Sequence, residues 1–255
     1  MSESTTTGPR VGSETVWHDA ECGSYGGDLA IWEEIAAARP GPILDLGAGT
    51  GRVALQLGAR GHEVVAVEAD PELAATLATR ASERGLPVSV ECADAREFER
   101  AGAFGLIVAP MQFVHLLGGP EGRRAMLGAA LRSLRPGGEL NVALLEHPLP
   151  PLGEPGPEEP TPLPDVREVD GWLHSSLPTA IRISDRWVAI ERLRQLVSPR
   201  GELSESTETV TLDRVTPDEF EAEAVAQGFR PVERLEIAET ERHVGSLVVR
   251  LGRPG

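Results

Sequence analysis

The sequence predicts a doubly wound α/β fold around a largely parallel sheet. Three observations carry that reading. Ile43-Leu44-Asp45-Leu46 runs into Gly47-Ala48-Gly49-Thr50-Gly51 and a helical stretch from Arg52 to Arg60, the pattern of a buried strand, a tight turn and a helix start. Further apolar strands alternate with helical segments and end beside acids, at Glu68 and Asp94. The turn Arg135-Pro136-Gly137-Gly138 then feeds a fifth strand, Glu139 to Leu145.

The elements follow in order. The first 15 residues are polar and read as a disordered tail. Asp28 is placed to cap a helix that begins at Leu29. The second strand is His62 to Glu68. Asp70 caps the next helix, Pro71 fits its first turn, and Leu73, Leu77 and Ala81 share one face. Val88 to Cys92 forms a third strand, where Cys92 is expected as a small buried filler. Phe104 to Ala109 is the fourth strand and Glu121 to Leu134 a helix. Residues 148–165 are rich in Pro and Gly and predict an extended loop. Thr179 to Val197 and Glu202 to Val215 read as two strands or a hairpin, joined at Ser198-Pro199-Arg200-Gly201. Thr216, Pro217 and Glu219 signal a capping box, and Gly228 ends that helix. Two closing strands, Val232 to Ala238 and Val244 to Leu251, complete the chain. The organisation is thus a tail (1–15), an arm and core (16–147), a Pro-rich loop (148–165), an inserted β subdomain (166–215) and a C-terminal helix with closing strands (216–255).

Composition narrows the partners. A chain of 255 residues buries one sizeable core. Its 24 basic residues face 40 acids, a net charge of −16. That balance argues against nucleic acid and against an anionic membrane surface. It favours a small-molecule partner, with an amine as the complementary group. No stretch approaches the apolar length of a membrane span and none reads as a signal peptide. Two cysteines without a CxxC motif predict neither a disulfide framework nor a metal site, and a cytoplasmic setting is expected.

The glycine turn brings backbone close to a ligand, and the free amides at the helix start face the same place. A dinucleotide fingerprint needs a third glycine where this chain has Arg52. The run D-L-G-A-G-T-G instead resembles motif I of the class I S-adenosylmethionine-dependent methyltransferases. Glu68, 19 residues beyond Gly49, stands where a Rossmann-like fold places an acid for ribose hydroxyls. "LRPGGEL" resembles the family's turn before strand five, and the matching segments cover roughly residues 40–147. Where the family often has Asp at the start of strand four, this chain has Gly105.

The resemblance implies a Rossmann-like, seven-stranded sheet whose last strand is antiparallel, with a small inserted antiparallel β segment. It implies S-adenosyl-L-methionine as cofactor, released as S-adenosyl-L-homocysteine. Asp45, Gly47, Ala48 and Gly49 would face the amino-acid half of the cofactor, Glu68 and Ala69 the ribose, and Asp94 and Ala95 the adenine. Pro110 and Met111 follow strand four at the same edge. The arm, with Trp17-His18-Asp19 and Tyr25-Gly26, and the inserted hairpin resemble small-molecule members. These include sugar-amine N,N-dimethyltransferases and glycine N-methyltransferases. There an N-terminal Tyr closes over the cofactor, which points to Tyr25, with Trp17 as a further aromatic contact. The added sheet covers the acceptor or forms a homodimer.

Methyl transfer needs a base only if the acceptor must lose a proton. His115, after strand four, is the first candidate; Glu146 and His147, ending strand five, are the next. His18 and His174 lie on segments that cover the pocket, and Trp172 and Trp187 are candidate walls. Arg182, Arg186, Arg192 and Arg194 read either as an acceptor-binding set or as a solvated face paired with Glu. Three other readings remain open: a non-catalytic S-adenosylmethionine-binding protein, a transferase for a macromolecule, and an NAD-dependent oxidoreductase, against which the missing glycine speaks.

Overall fold

The computed structural model describes residues 13–145, 163–239 and 244–255. Glu146, His147 and nearly all of the Pro-rich loop lie outside these residues.

Seven strands form the central sheet: β1 (Ile43–Leu46), β2 (Val64–Glu68), β3 (Val88–Cys92), β4 (Phe104–Ala109), β5 (Leu134–Leu145), β10 (Arg230–Ile237) and β11 (Ser246–Gly252). Their order is β10-β11-β5-β4-β1-β2-β3. β1 to β5 run parallel, and β11 is antiparallel to both β5 and β10. β1, β2 and β4 are nearly continuous apolar runs because both faces of the sheet are covered. On one face, α2 (Leu29–Ala37), α3 (Arg52–Ala59) and α4 (Pro71–Glu83) bury Trp32, Leu57, Leu77 and Val108. On the other, α5 (Gly119–Ser133) and α6 (Pro217–Ala226) bury Met126, Phe220, Ile107 and Leu140. Gly105 has a packing reason: a Cβ there would lie 2.6 Å from the Pro40 carbonyl oxygen. An aspartate would displace the segment leading into β1.

A second sheet of four antiparallel strands is inserted after β5. It comprises β6 (Asp165–Val169), β7 (Trp172–Ile183), β8 (Trp187–Val197) and β9 (Leu203–Asp213), in that order. Here the expectation of two strands needs correction. Ser184 breaks the run from Thr179 to Val197, its hydroxyl accepting the amides of Arg186 and Trp187 at 3.2 and 3.0 Å. β6 and β7 meet at Asp170-Gly171, both with positive φ (52° and 78°), the backbone of a two-residue hairpin turn.

Three smaller expectations also change. Helix α1 (Glu14–Glu21) begins inside the predicted tail. Asp28 precedes α2 without capping it; its carboxylate instead accepts from Arg52 and, at 2.8 Å, from the Trp32 indole. Cys92 is exposed, because β3 is an edge strand. By contrast Asp70 caps α4, accepting from Glu72 and Leu73, and Thr216 with Glu219 forms the expected capping box on α6. Among the described residues, no helix is long and apolar enough to cross a membrane.

Candidate active site

The carboxyl ends of β1, β2, β3 and β4 open onto one pocket of about 430 Å³. Asp45, Gly47, Ala48, Glu68, Ala69, Asp94, Ala95, Pro110 and Met111 all line it. Gly49 stands just behind, in the same turn. Gly47 and Gly49 hold φ of 66° and 56°, in the left-handed region. A Cβ on Gly47 would lie 2.1 Å from the Phe113 ring, and one on Gly49 2.5 Å from the His18 ring. The turn therefore requires glycine for both conformation and space.

Glu68, at the end of β2, braces that turn. One carboxylate oxygen accepts the Gly49 amide at 2.7 Å and the other the Asp70 amide at 2.9 Å. Each oxygen has two lone pairs, so one acceptor position per oxygen remains for a ligand hydroxyl. Asp94 faces the pocket with its carboxylate held by Arg96. The guanidinium Nε and the Arg96 amide both donate to it, at 2.9 and 2.8 Å. Those bonds hold the Asp94 pKa below the usual carboxylate range.

Asp45 is the most unusual group in the site. It is 1% exposed, and neither carboxylate oxygen makes a hydrogen bond of normal geometry among the described residues, the Ala54 amide being near enough only to oppose the burial. Burial pushes its pKa up to about 7, against the opposing pull of the Arg52 charge. Arg52 lines the same end of the pocket and is held by Asp28, one contact being 2.8 Å. A buried, unpartnered carboxylate beside a guanidinium suits a ligand that carries both an ammonium and a carboxylate. S-adenosylmethionine has that amino-acid group at one end and ribose hydroxyls in its middle, so the residues present fit it.

Three expectations fail on geometry. His115 is buried and lies behind the pocket wall, on the 3-10 turn Phe113–Leu116. Its Nδ1 is 2.7 Å from the Asp213 carbonyl, to which it donates, and its Nε2 accepts the Leu145 amide at 3.4 Å. Burial lowers its pKa, so the neutral ring ties β5 to β9 and neither nitrogen is available as a base. Trp17 is buried away from the pocket, edge-on to His174 at 5.0 Å and beneath the Arg194 guanidinium at 5.2 Å. Tyr25 does not line the pocket either; Arg52 stacks on its ring at 5.2 Å. The catalytic candidates Glu146 and His147 lie outside the described residues. Among the hairpin arginines, Arg182 pairs with Glu191, and Arg192 and Arg194 with Glu21.

α1 supplies what Trp17 does not. His18 and Cys22, one turn apart, both reach the pocket. Burial lowers the His18 pKa, opposed by the charges of Asp19 and Glu68, and burial pushes the Cys22 thiol up to about 11. The last turn of the helix is stapled on two sides. Asp19 accepts from Thr50 at 2.7 Å and Arg80 at 3.0 Å, and Glu21 from Arg194 at 2.9 Å and Ser176 at 2.7 Å.

Arg52, Arg96, Phe113, Leu116, Val210 and Leu212 are pocket residues that sequence reasoning missed. For Arg52 a signal existed: a cation in the first turn of a helix opposes the helix dipole and so needs another purpose. Val210 and Leu212 arrive from β9, about 140 residues beyond Glu68, with no local motif.

Residues 43–138 match a family model described as a methyltransferase domain. Solved structures share the chain's fold over nearly the whole length. DesVI of Streptomyces venezuelae is 20% identical with a TM-score of 0.71, covering 97% of this chain and 100% of its own. CalS10 is an amino pentose methyltransferase from Micromonospora echinaspora involved in calicheamicin biosynthesis, solved with S-adenosylmethionine bound. It is 22% identical with a TM-score of 0.70, over 96% of this chain and 98% of its own. KedS8, a sugar N-methyltransferase from Streptoalloteichus sp ATCC 53650, is 18% identical with a TM-score of 0.71, over 100% and 98%. No curated protein matches the chain in sequence. The shared fold is the seven-stranded sheet with an antiparallel last strand and a separate four-stranded sheet.

Proposed function

We propose that this methyltransferase transfers a methyl group to a nitrogen of a small-molecule amine. The observation that carries the reading is the pocket itself. A buried unpartnered Asp45, a braced Glu68 and Asp94 line one wall, and an apolar wall from β9 and the 3-10 turn stands over them. The N-methyltransferases among the fold's neighbours support nitrogen as the acceptor atom.

S-adenosylmethionine, when bound, supplies a methyl group on a sulfonium already activated for in-line displacement by a nitrogen lone pair. The chain's own part is alignment and exclusion of water. Asp45 and Arg52 hold the amino-acid end, Glu68 the ribose hydroxyls and Asp94 the adenine amino group. Phe113, Leu116 and Leu212 exclude water where the acceptor enters. An amine attacks as the free base and then loses its proton to water, so the engagement of both His115 nitrogens costs the reaction nothing. The outer face of the second sheet exposes Val166, Leu173 and Leu203, which supports pairing of two copies and is checked by light scattering.

The test is calorimetric titration with S-adenosylmethionine, S-adenosylhomocysteine and NAD, followed by a mass-spectrometric screen of amines for methyl gain. Binding of the first two, weakened by Glu68→Ala and Asp94→Ala, is expected. Binding of NAD alone would return the oxidoreductase reading, and cofactor binding without turnover of any acceptor would leave a non-catalytic binding protein.

A further inference from the structure

Resting on the reading above, we infer that the acceptor is an amine on an apolar scaffold that carries no phosphate. The cofactor residues account for every acid and every arginine on the pocket wall. Asp45, Glu68 and Asp94 are the acids that line it, and Arg52 and Arg96 the arginines. Arg52, paired with Asp28, is taken by the carboxylate of the bound cofactor, and Arg96 is paired with Asp94. The remaining basic group, His18, is packed against the glycine turn, and burial lowers its pKa. No free cation is therefore left among the described lining residues to receive a phosphate.

The rest of the chain reinforces this. The sequence has no lysine at all, so all 24 basic residues are arginines. Residues 146–162, which follow β5, contain Glu146, Glu154, Glu158 and Glu159 and no arginine. A phosphate-bearing acceptor would exchange water for an uncompensated anion in an anionic protein, a heavy desolvation cost.

What the wall offers instead is apolar surface. Phe113, Leu116 and Leu117 of the 3-10 turn and its end face the pocket together with Val210 and Leu212 of β9. Leu116 keeps 56% of its surface open to solvent at that mouth. A carbon scaffold lying between the turn and β9 gains burial on both sides, while its amine is drawn by the protein's negative field.

Fluorescence titration of the S-adenosylhomocysteine-loaded protein with dansylcadaverine, an apolar primary amine, tests the inference without needing turnover. Saturable binding is expected, undisturbed by a large excess of inorganic pyrophosphate. Leu116→Ala should weaken it about 3- to 10-fold by removing apolar contact. Leu116 is too exposed for that change to threaten folding, and S-adenosylhomocysteine affinity should stay as in the parent. Leu116→Arg should weaken dansylcadaverine further and let pyrophosphate compete. Displacement by pyrophosphate in the parent protein overturns the inference, and so does an absence of saturable dansylcadaverine binding. Failure of the proposed reaction looks different: the probe binds as expected while no amine gains a methyl group.

Discussion

Asp45 shows how one residue can be unfavourable for the fold and right for the site. Its pKa of about 7 in the folded chain lies above the ordinary carboxylate value near 3.8. The stability it permits is full below pH 4, where both folded and unfolded states are protonated. It falls as pH rises toward 7, because the unfolded chain ionises first. The loss amounts to roughly 4 kcal/mol at one pH unit per 1.36 kcal/mol. Asp45→Asn removes the titration, so its chemical-denaturation stability should decline less than the parent's between pH 4 and 7. S-adenosylmethionine affinity should fall at the same time, because the amide no longer attracts an ammonium. Glu68→Gln makes a second prediction. Its side-chain amide NH2, a donor, meets the backbone N–H donor of Gly49 or Asp70, so the turn loses one of its two braces. Cofactor dissociation constants should rise about 10- to 100-fold, for roughly 1.5–3 kcal/mol of lost charged hydrogen bonding. Calorimetry checks both.

At the scale of elements, α1 is the informative case. It touches the cofactor pocket through His18 and Cys22, yet its anchors are on other elements. Arg194→Met removes the guanidinium from Glu21, Glu14 and the Trp17 face together. We expect about 3 kcal/mol of destabilisation, because the half-buried Glu21 loses a partner. S-adenosylmethionine affinity should drop with it as His18 leaves its place. A lowered melting temperature with full cofactor affinity would separate α1 from the site. Thr216→Ala, which deletes the α6 capping box, should cost about 1 kcal/mol and leave cofactor binding alone. The same elements show what the sequence could tell. Asp70 and Thr216 cap as read, and the strands from Ile43 to Ala109 fall where their apolar runs end. These signals are local, being a cap, a turn or a burial run. His115 misled because its partners, Asp213 and Leu145, lie 98 and 30 residues away. Trp17 misled for the same reason, since an arm's contacts are decided by the inserted sheet it meets. Asp170-Gly171 was legible hairpin chemistry that went unused.

For the molecule as a whole, the core lines the polar side of the pocket and the inserted sheet adds Val210 and Leu212 to its apolar side, which the proposed function assigns to the acceptor. Labelled methyl transfer from S-adenosylmethionine to a cell extract should therefore place label in the small-molecule fraction. Label confined to protein or RNA would move the acceptor class. The inserted sheet is held to the rest of the chain through α1 and near Asp213. At the second of these Asp213 carries most of the join: its carbonyl takes the His115 ring, and its carboxylate takes the Gly119 amide and lies 3.8 Å from Arg123. β9 runs from that clamp to an exposed Leu203, with β8 on one side and, among the described residues, no strand on the other. In mechanical terms it is a cantilever. Thermal motion grows with distance from the support, so amide hydrogen exchange should quicken from Leu212 toward Leu203. The stiff root of the beam is the part that lines the pocket.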